Sequence, residues 1–119
     1  MSLDMYEILE IPDSSEAGLQ DLFHEKGWGD GLPMIAPTRE RVEEMLSASQ
    51  DLDPDEAIAS LPPRNGVATR RIIAVNAVMA GCRPEHFPVL VSAIRALSAP
   101  EMNLRGVNAT THCVAPLLI

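Results

Sequence analysis

The chain has 119 residues, 17 acidic against 9 basic, for a net charge of -8. That length suits one domain, which buries about two-thirds of the surface its unfolded chain would expose. The charge excludes the usual nucleic-acid binder, because phosphate neutralisation needs clustered cations and the only adjacent basic pair is Arg70 and Arg71. No run approaches about eighteen apolar residues without a charge or proline, and no basic stretch precedes an apolar one at the N-terminus. Neither a membrane span nor a signal peptide is expected, the location is read as cytoplasmic, and Cys82 and Cys113 are expected to be free thiols.

In chain order, Leu3 to Ile11 carries no assignable element and is ended by Pro12 and Asp13. Ser14 or Ser15 can cap a helix from Glu16 to Lys26, with Leu19, Leu22 and Phe23 inward and Gln20, His24 and Glu25 outward. Gly27 terminates it, and Trp28 to Pro33 forms a glycine-rich loop holding the only tryptophan. Met34 to Ala36 reads as a short strand. Thr38 then leads into a helix from Arg39 to Ser49 with Val42, Met45 and Leu46 inward. Asp53-Pro54-Asp55-Glu56 has the form of a helix start: a capping acid, proline at the first position and a glutamate three after the cap. Leu61 to Gly66 ends that helix with a stiff, proline-rich connection and a turn at Asn65-Gly66.

Arg70 to Leu97 is the longest apolar segment. Thr69 can cap a first helix running to Ala80. Ile72, Val75, Asn76 and Met79 form its inward face, Ile73, Ala77 and Ala80 widen that face, and Gly81 is the stop. Strand is the rival reading, disfavoured by the length and by the lack of two-residue alternation. Pro84 opens a second helix with Phe87, Leu90, Val91, Ile94 and Leu97 on one face. The pair reads as a buried helical hairpin. After a loop from Ser98 to Arg105, the content of Val, Thr and Ile predicts a strand from Val107 to Ile119. Its apolar close predicts docking in a sheet or dimer contact, or a native chain that continues. The fold expected is a mainly helical α/β or α+β one with a central buried helical hairpin and a few short strands, a single incomplete domain at the N-terminal part of a longer native chain.

Four blocks occur together: Glu25-Lys26-Gly27-Trp28-Gly29-Asp30-Gly31-Leu32-Pro33, Leu61-Pro62-Pro63-Arg64, Asn76 to Pro84, and Gly106 to His112. They resemble a family of uncharacterised bacterial proteins with a GW-x-DGLP motif, loosely associated with glycine/betaine/sarcosine/proline reductase-type selenoproteins. The resemblance spans Leu22 to Ile119 and implies a longer native chain. The U/C-Gly-Ser-Cys motif of the reductase-like proteins is absent, so reductase chemistry does not transfer to any residue here.

Cys82, followed by Arg83 and a helix start, is a candidate nucleophile, against the plainer reading of a small residue packed in a tight turn. On the expected strand, Thr110 and His112 share a face, with Thr111 on the other, so a proton-transfer or ligand role stands beside an ordinary strand-end histidine. Trp28 and Asp30 can form a ligand-facing lip, or Trp28 covers the core edge while Asp30 closes a turn. Asn76, polar on the expected inward face, is expected to tie down a neighbouring loop. His24, His86, His112, Cys82 and Cys113 lack any metal-ligand spacing, so no metal site is expected.

The catalytic candidates are therefore Cys82, His112 and Asp30, and the ligand-binding candidates Trp28, Arg83, Thr110 and Thr111. Two functions are compatible with them. One is part of an enzyme-like protein, its site completed by missing sequence or another subunit and its ligand a small molecule. The other is a non-catalytic interaction module, homo-oligomeric contact included, that docks through the C-terminal strand. No substrate or cofactor is specified by these residues.

Overall fold

The computed structural model describes residues 8–49 and 52–117. Helix α1, Glu16–Lys26, starts where Ser15 Oγ accepts the Gly18 N–H and stops where Gly27 takes φ 63°. Asp13 Oδ1 in turn accepts the Ser15 N–H at 2.9 Å. That bond holds the Asp13 carboxyl below its ordinary range. Helix α2, Arg39–Ser47, is capped by Thr38, whose hydroxyl accepts the Arg41 N–H. Val42 and Met45 are buried beneath it.

The expected helix at Asp53 is a turn instead. Asp53 Oδ1 accepts the Asp55 N–H at 2.9 Å, closing the chain on itself, and the residues that follow become strand β1, Ala57–Leu61. It pairs antiparallel with β2, Gly66–Thr69, in the register Leu61 to Gly66, Ser60 to Val67 and Ala59 to Ala68, with an irregularity between Ala57 and Ala59. A capping acid serves an isolated turn as well as a helix. Pro62 and Pro63 would end a helix after two turns, whereas the hairpin gives the same residues a backbone partner. The Pro62–Pro63 bond is cis and Asn65 has φ 54° within the hairpin loop.

Helix α3, Arg70–Met79, follows β2 directly, capped by Thr69 Oγ1 on the Ile72 N–H. Its first two residues are cations at the positive end of the helix dipole, an unfavourable place unless carboxylates answer them. The Asp53 turn supplies both. Arg70 Nη2 meets Glu56 Oε2 at 2.8 Å, while Arg71 Nε and Nη2 reach Asp55 Oδ1 and Oδ2 at 3.0 and 3.3 Å. The Arg70 and Arg71 N–H groups donate to the Glu56 and Pro54 carbonyls, so the turn also serves backbone donors that a helix start leaves open.

A 3-10 turn at Pro84–His86 leads into α4, Phe87–Ser98, whose Phe87 is fully buried. One continuous core joins Val42 and Met45 of α2, Ala68 of β2, Ile73, Ala74, Ala77 and Val78 of α3, and Phe87 and Val91 of α4. The α3 and α4 pair is in place, flanked by α2 on α3 and the hairpin on α4. The inward face of α3 is shifted from the expected one, with Ile73 and Ala77, expected at its margin, now at its centre. Ile73, Ala74, Ala77 and Val78 point in, while Ile72 is 39% exposed and Asn76 is exposed.

The expected strand from Val107 is likewise absent from the described residues. A 3-10 turn at Pro100–Met102 leads to Asn103, at φ 46°, whose side chain caps a short helix α5, Leu104–Ala109. Residues 110–117 are exposed and irregular, and residues 118 and 119 lie outside the described part. The architecture is a mainly helical α+β fold. No described helix is long and apolar enough to cross a membrane.

Candidate functional site

Met34 to Ala36, expected as a strand, forms no sheet among the described residues. The Ile35 N–H donates to the Met79 carbonyl at 3.1 Å, which fastens the segment to the end of α3. Just before it, the Gln20 side chain takes both backbone groups of Met34: Nε2 donates to the carbonyl at 2.8 Å and Oε1 accepts the N–H at 3.1 Å. Gln20 is therefore half-buried and turned toward the loop, not outward.

This routing leaves a cleft of about 710 Å³. One wall is the inner face of α1, with Leu19, Leu22 and Phe23, continued by Trp28. The Trp28 and Phe23 rings lie 6.1 Å apart at a 43° tilt, and Trp28 remains 48% exposed. The facing wall is formed by Val75, Asn76 and Met79 of α3, with Val42 of α2. Ile8, Leu9 and Ile11 also line the cleft.

Polar groups border the cleft. Arg39, Glu40 and Glu43 are exposed at the start of α2. Glu40 is held below the ordinary carboxylate range, chiefly by its own backbone N–H and then by the Thr38 hydroxyl. Arg71 also borders the cleft, oriented by Asp55. Asn76 Nδ2 donates to the Ile72 carbonyl one turn back at 2.8 Å, so it braces its own helix and ties down no neighbouring loop.

Of the candidates read from the sequence, Trp28 alone lines this cleft. Asp30 Oδ1 accepts the Leu32 N–H at 3.0 Å and closes a turn. Cys82 is half-buried against the core, its N–H donating to the Ala77 carbonyl. Arg83 is exposed, with Nη1 3.9 Å from Glu85 Oε1, and its backbone N–H donates to His86 Nδ1. Thr110, Thr111 and His112 lie on the exposed segment after α5, where the His112 N–H donates to Thr110 Oγ1. The shared strand face expected of Thr110 and His112 does not form. Both described cysteines are free thiols, and no metal-ligand cluster occurs among the described residues.

The sequence pattern places Leu19, Leu22, Phe23, Val75 and Met79 on inward faces and does not distinguish core from cleft. A helix with apolar residues nearly all round has two sides to cover, and the second stripe, Val75 and Met79 with Asn76 between, faces the cleft. No known protein family, curated protein or solved structure matches the chain.

Proposed function

We propose that the chain is a binding unit for a small, mainly apolar molecule held between α1 and the Val75, Asn76 and Met79 side of α3. The observation that carries this reading is the cleft. Its volume of about 710 Å³ falls in the small-molecule range of about 300 to 1,000 Å³, and its walls are apolar with a few polar groups at the border. The resemblance to GW-x-DGLP proteins leans the same way, since two of its blocks contribute Trp28 and the pair Asn76 and Met79 to the walls. In an enzyme-like protein this unit would bind and orient a ligand, with chemistry supplied from another segment or subunit.

Equilibrium dialysis against anilinonaphthalene sulfonate, an aromatic probe that carries one sulfonate, tests the reading. Wild type should bind it. Leu19→Glu, which sets a carboxylate on the α1 wall, should weaken binding about tenfold or more, while His112→Ala should leave it unchanged. Equal binding by the wild type and Leu19→Glu would reject the cleft as the site.

A second reading, a module that docks through its C-terminal segment, is favoured by one observation. Val114 and Leu117 are 53% and 79% exposed on a stretch without regular structure. Self-association at high concentration that Leu117→Asp abolishes would support it, and a monomer at every concentration would count against it.

A further inference from the structure

We infer that α1 and the loop behind it form a jaw: one stiff piece, separate from the main core, that opens and closes over the cleft about the Met34–Ile35 junction. The inference rests on the cleft being a binding site, and it names how that site would be opened.

The piece is clamped internally. Beyond the two Gln20 bonds to Met34, the Trp28 N–H donates to the Phe23 carbonyl at 3.0 Å and Asp30 pins Leu32. Gly29 lies so close to Met34 that a β-carbon there would come within 2.8 Å of Met34 Cε. Helix and loop are thus bound to move together.

The next residue belongs to the body. The Ile35 N–H is fixed to Met79, and Ile35 Cδ1 lies 3.6 Å from the place a Gly81 β-carbon would occupy. Consecutive residues are therefore fastened to different bodies, which concentrates any relative rotation at one backbone junction, as hinges do.

The jaw holds little else of the body. Phe23 is buried, yet it stands outside the continuous core of α2, α3, α4 and the hairpin. Among the described residues, helix α1 makes no extensive contact with another element, whereas α3 packs on α2, α4 and β2. Among the described residues, the hydrogen bonds of 8–33 stay within the piece and Met34. Units held by few apolar contacts open before the rest of a fold. A molecule touching both walls favours the closed position by its differential contacts alone.

Hydrogen exchange on the full chain, with and without anilinonaphthalene sulfonate, is the test. Without probe, amides of α1 and residues 28–34 should exchange together and about tenfold or more faster than those of α3. Bound probe should slow α1 and leave α3 unchanged. Gln20→Ala should split the piece, so that residues 28–34 exchange ahead of α1. Protection of α1 equal to that of α3 in the free protein overturns the jaw, as does a probe that binds without slowing α1. A probe that fails to bind, while α1 and its loop still exchange together ahead of α3, supports the hinge and sinks the ligand reading alone.

Discussion

Helices α1 and α3 have comparable local credentials and quite different attachments. Each begins at a hydroxyl cap, Ser15 or Thr69, and each is followed by a glycine with positive φ, Gly27 or Gly81. Helix α3 then buries Ile73, Ala74, Ala77 and Val78 in the shared core and has its first turn gripped by Asp55 and Glu56. Helix α1 buries one aromatic ring, apart from that core. Good capping defines where a helix lies along the chain, while its share of the stability depends on what its faces meet.

The sharpest way to break this contrast is to remove the same ring from both regions. Phe87→Ala should cost about 3–5 kcal/mol in urea unfolding followed by circular dichroism, because it empties a fully buried place in the core. Phe23→Ala should loosen α1 by exchange while moving the global transition by less than about 1 kcal/mol. Equal global costs would erase the distinction. Next in size, Asp55→Ala breaks the largely buried pair that Asp55 makes with Arg71 and should lower global stability by about 3 kcal/mol.

Smaller effects refine the picture. Thr69→Ala should cost about 1 kcal/mol globally, whereas Ser15→Ala, with the same cap chemistry, should show that loss only in α1 exchange. Smallest is the pH response of Asp13. Its carboxyl titrates below the unfolded value, so its support of the α1 cap is present at neutral pH and fades as pH falls through the folded value. Backbone chemical shifts of α1 should drift on acidification in the wild type and lose that drift in Asp13→Ala.

Four helices were legible because their punctuation is local: Ser15 and Gly27, Thr38, Thr69 and Gly81, and Pro84 with the apolar stripe after it. What was misread depended on distant partners. Asp53-Pro54-Asp55-Glu56 suits a helix or a turn equally well, and Gly66–Thr69, pairing across the hairpin, decided for the turn and strand. The Val and Thr content after Gly106 suggested a strand, yet Asn103 in the left-handed region starts α5 and fits against Gly106, where a β-carbon would strike the Asn103 side chain. The cleft stayed hidden for a related reason. Composition reveals that α3 is apolar on two sides, but only the path of residues 34–37 decides which side the core takes.

Trp28 gives the molecule an uneven spectroscopic voice. As the only indole in the chain, seated in the smaller piece against Phe23, its fluorescence would report α1 and its loop and say little of the body. Thermal melts read by tryptophan emission and by helical ellipticity should therefore give two midpoints, the emission midpoint lower, so that one sample records the order in which its parts let go.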